Sequence, residues 1–256
     1  MDTVIAGLPL WAFLTACAVT LFAGFVKGAI GFAMPLILIA VLPSFMSAQT
    51  ALAALILPVL VSNLHQSLRQ GMGPAIASGR KFWRIILATM VGIVISAPFV
   101  VVLPQQVMFL LLGVAVFGFA LLQISGWSPD IPPGRRNMIE LGTGLIGGLY
   151  GGIAGTWGPP AIVYLLAAKV EKTEMVRVMS VIFLMGAVVL TLAHLRSGVL
   201  NAETGFLSAL MILPAAAGMW LGYRAHDRMD PVRFKRWTLI LLMLSALNLL
   251  QRGLFA

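Results

Sequence analysis

Charge is what this sequence has least of. Only 10% of its 256 residues are Asp, Glu, Lys or Arg, while 60% are hydrophobic and the mean hydropathy is +1.01. So few charges cannot cover a soluble domain of this size, and the chain reads as a polytopic membrane protein. A single cysteine, Cys17, excludes an internal disulfide and any cysteine-based metal cluster, and reads as a small apolar packing residue. G-x-x-x-x-G-K-[ST], H-E-x-x-H and G-x-S-x-G are all missing, so ATP hydrolysis and two common hydrolase chemistries have no motif. All eight Asp and Glu fall in loops or at segment ends, which argues against carboxylate chemistry in the membrane. The start, MDTVIAGLPLW, has neither a basic n-region nor an A-x-A-like site before its apolar run, so the first segment is expected to be retained.

What the sequence does have is long apolar runs. WAFLTACAVTLFAGFV, LATMVGIVISAPFVVVL and WTLILLMLSALNLL carry no charge, as helices in a hydrocarbon layer about 30 Å thick require. They show none of the alternation of a membrane β-barrel. Ten apolar segments are expected, at 9–26, 29–43, 50–67, 82–102, 106–125, 138–151, 156–168, 176–195, 204–223 and 233–251. The second, sixth, seventh and third are short for a full crossing. The Pro/Gly-rich stretch 126–137 divides a first half, 1–125, from a second, 138–256.

The net charge of +9 comes from Lys and Arg in short loops, so membrane orientation explains it better than nucleic acid does. With the N-terminus outside, threading places Arg69, Arg80, Lys81, Arg84, Arg135, Arg136, Lys169, Lys172, Arg177, Arg224, Arg228, Arg233, Lys235 and Arg236 in the cytoplasm. Only Arg196 and Arg252 fall outside, and both termini are periplasmic in this scheme.

The halves carry a shared motif. GFVKGAIGFAMP at 24–35 and GLYGGIAGTWGP at 148–159 both read G-x-x-x-G-x-x-G-x-x-x-P, at one offset of 124. Arg69-Gln-Gly71 matches Arg196-Ser-Gly198, and Gly92 with Ser96 matches Gly218 with Gly222. Five segments per copy make the second copy enter from the opposite side. The expected fold is therefore an all-α polytopic membrane protein of two inverted repeats, with Gly/Pro-broken or re-entrant short helices near the midplane.

The motifs hold the candidate site. Lys27 is the one formal charge left inside a segment, where it either faces a cavity or partner or snorkels to the interface. Backbone amides at a helix break need a cavity or protein around them, and the N-terminus of a half-helix attracts anions. Gly24, Gly28, Gly31 and Pro35, with Gly152, Gly155 and Pro159, are expected either to form one shared substrate site or to pack helices closely. Asn63 and Gln66 share a helix face, and Thr156 and Tyr164 are further polar residues at membrane depth that could orient a substrate. His65 and His194 are candidates for proton coupling. No cofactor or metal is expected, and assembly as a homo-oligomer stays open.

With both motifs quoted, and Trp157, Gly158, Pro160 and Leu165 extending the second, the sequence resembles the TauE/SafE sulfite exporter family, also called the 4-toluene sulfonate uptake permease family. The resemblance covers nearly the whole chain. It implies a bacterial inner-membrane carrier for sulfite, sulfoacetate or a related anion. One departure stands out: Phe32-Ala33-Met34 occupies a place where many members have a run of glycines. An anion channel and an intramembrane enzyme are the alternatives.

Overall fold

With no water in a hydrocarbon layer, backbone N–H and C=O groups must bond within the segment, and helices do this. In the computed structural model the described residues, 4–126, 130–132, 134–225 and 230–255, are almost all helical. Residues 127–129 and 133 of the expected linker 126–137, and Arg228, lie outside them. A small hairpin, β1 (Val4–Ile5) with β2 (Leu8–Pro9), precedes the helices.

The first half contains α1 (Leu10–Ile30), α2 (Met34–Val41), α3 (Ala48–Leu68), α4 (Met72–Lys81), α5 (Trp83–Ser96) and α6 (Gln105–Ser125). The second contains α7 (Arg136–Ala154), α8 (Gly158–Ala167), α9 (Lys172–Ser197), α10 (Ala202–Leu210), α11 (Ile212–Ala225) and α12 (Pro231–Phe255). Short 3₁₀ turns extend α2 to Ser44 and α5 to Val101. Among the described residues, seven helical stretches of 19–25 residues are long and apolar enough to cross a membrane. Leu14, Val94, Val114, Leu192, Leu213 and Leu244 point outward, a surface suited to lipid. The protein is an all-α polytopic membrane protein.

Two expectations change. The stretch after Arg69, read as loop, contains α4, whose MGPAIASGRK composition hides a helix behind two glycines and a proline. The ninth segment is broken at Met211 into α10 and α11.

The helices pair in a regular scheme. α1 packs on α11, α7 on α5, α3 on α9, and α6 on α12. Glycines permit the first two pairings. A Cβ on Gly28 would lie 2.2 Å from the Met219 carbonyl oxygen, and one on Gly218 would lie 1.9 Å from that of Leu21. Gly148 stands in the same relation to Thr89, at 2.2 Å. Residue numbers rise together along both pairs, so each pair runs parallel. Across α6 and α12 they run oppositely, Gly113 meeting Ala246 and Leu250 while Gly253 meets Leu110.

Pro58 interrupts α3, since it has no N–H and its ring displaces the carbonyl four residues back. Ser208 of α10, fully buried, repairs the gap: its hydroxyl donates to Ala54 O at 3.4 Å and accepts from Leu57 N at 3.0 Å.

Polar and aromatic contacts distinguish the two ends of the bundle. Lys81 with Glu174 at 2.7 Å, and Arg177 with Gln70 at 3.3 Å, bring the end of α3, α4 and the start of α9 together. At the other end Trp11 meets Phe45, with ring centroids 6.1 Å apart, and Arg252 donates to the Pro43 carbonyl.

Candidate functional site

α1 ends where Gly31 turns left-handed (φ 88°), and its N–H closes on the Lys27 carbonyl at 2.7 Å. α7 ends in the same way at Gly155 (φ 68°), whose N–H bonds the Gly151 carbonyl at 2.8 Å. Past the first turn, Ala33 also sits at positive φ, 77°, a conformation that costs a non-glycine residue about 1 kcal/mol. This is the stretch where Phe32-Ala33-Met34 replaces a glycine run.

Lys27 does not snorkel. Only 1% exposed, it donates to Ser62 Oγ at 2.9 Å and to Asn63 Oδ1, both on α3. One turn further along α3, Gln66 Nε2 donates to the Gly31 carbonyl at 2.8 Å. One polar face of α3 therefore holds the last turn of α1 and its break.

Beside that break lies a cavity of about 630 Å³, reached from the end of the bundle where α3 ends and α9 begins. Gly28, Gly31 and Gln66 line it with Arg69, Arg177 and Tyr223, and among the described residues that line it none is a carboxylate. The Arg69 guanidinium carbon lies 4.1 Å from the centre of the Tyr223 ring. Arg177 Nε donates to Ser78 Oγ at 2.9 Å. Among the described residues neither arginine has a carboxylate within 4.0 Å; the ion pairs there are Lys81 with Glu174, Lys169 with Asp130 and Arg233 with Asp230. His65 is exposed near the mouth and packs on Tyr223, ring centroids 6.0 Å apart.

The second motif is built differently. Gly155 abuts Leu52 and Leu55 of α3, leaving no space at the turn. Trp157 Nε1 donates to Ile182 O at 3.3 Å, while its ring covers Gly151 and Gly186. Thr156 is buried; Pro159 and Tyr164 line a separate, largely apolar cavity of about 550 Å³ with Phe119, Leu122 and Tyr150. Leu55 and Gln66 are eleven residues apart on α3, so the two breaks are separated by about 16 Å along that helix. Gly28, Gly31 and Gln66 meet at one cavity, with Lys27 and Asn63 directly behind it. Gly152, Gly155, Thr156, Pro159 and Tyr164 do not reach it. Gly24 packs its Cα on Ala215, Gly152 packs on Ile93 and Ser96, and Pro35 opens α2 beyond the break.

His194 is fully buried, its Nε2–H donating to Gly152 O at 3.0 Å, while Nδ1 lies 3.3 Å from Ser197 Oγ. Glu140 is a correction to the sequence reading. It stands near a segment end, yet it is only 3% exposed, accepting from Ile85 N at 3.4 Å and from the Tyr164 hydroxyl at 3.3 Å. Lys27 is thus not the only formal charge inside.

Sequence reasoning also missed Arg69, Arg177, Tyr223 and Ser180 as site residues, because loop arginines had already been explained as orientation signals. One clue was available: Arg177 and Ser180 are three apart and share a helix face.

The arrangement suits an anion: two cationic guanidiniums beside the first turns of α9, backed by a buried lysine. A family model described as sulfite exporter TauE/SafE matches residues 16–249. No curated protein and no solved structure matches the chain. By that match over most of its length, this membrane protein belongs to the sulfite exporter TauE/SafE family.

Proposed function

We propose that the protein is a secondary carrier that moves a small sulfur-containing or organic anion, sulfite, sulfoacetate or a related sulfonate, across the inner membrane by alternating access. The observation that carries this is the cavity beside Gly31, which presents Arg69 and Arg177 and, among the described residues, no carboxylate. An anion entering it exchanges water for charge-assisted hydrogen bonds from two arginines. Lys27 adds a positive charge at the protein's interior, where a lysine without a functional partner is costly.

The halves, 1–125 and 138–256, act as inverted repeats in this reading. α1 and α7 support it by running in opposite directions: α1 ends beside Gln66 near the end of α3, and α7 ends beside Leu52 near its start. The exchange of partners supports it as well, since the first helix of each half packs on the fourth-segment helix of the other. The end bearing Arg69, Arg80, Lys81 and Arg177 faces the cytoplasm, and the termini face the periplasm. The cavity is then the cytoplasm-facing half of the path. Gly155, packed on Leu52 and Leu55, closes the periplasmic half.

Flux into proteoliposomes of sulfite, sulfoacetate and a carboxylate control tests this. Saturable movement of one of the sulfur anions is expected. Flux that never saturates points to a channel, and no movement of any anion from a broad panel removes the transport reading.

A further inference from the structure

The amide of Gln66 has its orientation fixed by its partner. The Gly31 carbonyl can only accept a hydrogen bond, so Nε2 faces it and Oε1 faces the other way. That Oε1 is buried and has no hydrogen-bond partner. One turn back, Lys27 as an ammonium has three N–H donors, of which Ser62 and Asn63 take two. Gln66, which lines the cavity, thus brings an acceptor in want of a donor, and Lys27, directly behind it, a donor in want of an acceptor. A buried polar group left in this condition is unfavourable, so whatever fills the site gains by satisfying it.

A fully deprotonated oxyanion or a sulfonate satisfies only half of this pair. Its oxygens accept from Lys27, Arg69 and Arg177, but one of them is set lone pair to lone pair against Gln66 Oε1. An oxygen that carries a hydrogen does both, accepting from the spare Lys27 N–H and donating to Oε1. We infer that the carried anion is a monoanion bearing one O–H, whose hydroxyl is read by Gln66 together with Lys27. This rests on the carrier reading above and narrows it: the hydrogensulfite form of sulfite fits, and alkylsulfonates do not. Gln66 is then a specificity-determining residue, while Arg69 and Arg177 take the anion's charge without regard to its hydrogen.

Two isosteric monoanions isolate the hydroxyl. In mildly acidic buffer methylphosphonate carries one P–OH and a single negative charge, and methanesulfonate has the same shape and charge with no O–H. Binding of both to the purified, full-length protein in detergent, measured by calorimetry alongside sulfite, is expected to favour methylphosphonate by roughly tenfold or more. In Gln66→Met the ratio is expected to fall below about threefold, whatever happens to overall affinity, because a purely structural loss weakens both ligands alike. Equal binding of the two by the wild type, or tighter binding of methanesulfonate, overturns the inference and leaves the carrier standing. Failure of sulfite and both probes to bind defeats the carrier reading and this one together. The wild-type comparison decides the matter even if Gln66→Met does not fold.

Discussion

Gln66 Nε2 meets the Gly31 carbonyl at 2.8 Å, and through it α3 holds the carbonyl that the end of α1 leaves without an intrahelical donor. His194 does the corresponding work in the other half, giving its Nε2–H to the Gly152 carbonyl in the last turn of α7. In both places a polar side chain from the third helix of a half reaches the broken end of the first. The surroundings differ: the first break borders the polar cavity, whereas the second is filled by Leu52, Leu55 and Trp157.

From this contact His194 is expected to act as a structural tie and not as a proton relay. His194→Leu leaves the Gly152 carbonyl buried and unbonded, and is expected to cost about 1–3 kcal/mol of stability, read as a lower unfolding temperature in detergent. The pH profile of anion flux is expected to stay unchanged in whatever protein remains folded. A profile altered by His194→Leu would return that histidine to the coupling path.

The glycine contacts give a sharp contrast. At Gly218 a methyl group would meet the Leu21 carbonyl at 1.9 Å, and nothing flexible stands there to yield. Gly218→Ala is expected to push α1 and α11 apart and destabilise by about 1–3 kcal/mol. A methyl at Gly118 meets nothing within 4 Å, so Gly118→Ala is expected to stabilise by up to about 1 kcal/mol through helix propensity. Thermal unfolding of both variants checks this, and equal shifts would mean that the α1–α11 approach is looser than described here.

Lys27→Met tests the buried charge. The substitution keeps most of the side-chain volume but removes the donor to Ser62 and Asn63, at a stability cost of about 1–3 kcal/mol. Anion affinity is expected to fall at least roughly tenfold, the loss of a single charge-assisted hydrogen bond. Monodisperse, folded protein with wild-type affinity would take Lys27 out of the site.

Much of this was readable in the sequence because lipid imposes so narrow a code. Apolar runs give the crossings, and the glycines and prolines of GFVKGAIGFAMP give the break after Ile30, since few other residues could occupy φ 88° at Gly31. α4 was not readable, because MGPAIASGRK has the composition of a loop and becomes helical against α9. The meeting of Arg69 with Arg177 was not readable either. It depends on α3 and α9 lying antiparallel, and a local pattern reports no such pairing. For Glu140 the difficulty was one of depth: a carboxylate near a segment end looks exposed until the α5 backbone and Tyr164 close over it.

The proposed orientation opens Ser180 and Asn201, which lie toward opposite ends of the bundle, to opposite sides of the membrane. Ser180 is a buried residue lining the cavity on α9, within the end that carries Arg177, and it is open only through that cavity. Asn201 is exposed at the opposite end, where its side chain caps α10 by accepting from Glu203 N and Thr204 N. With Cys17 replaced by Ala, a cysteine at 201 is expected to react with a membrane-impermeant maleimide added to spheroplasts, and one at 180 only when the reagent reaches the cytoplasmic face. Methylphosphonate in excess, which unlike sulfite does not add to the maleimide, is expected to slow labelling at 180 and leave 201 unaffected, because only the first position shares the cavity with the anion. Labelling of 201 from the cytoplasm would refute the orientation. Labelling of 180 from the periplasm, with 201 as expected, would instead mean that the seal of Gly155 on Leu52 and Leu55 opens at rest, making the cavity a continuous pore.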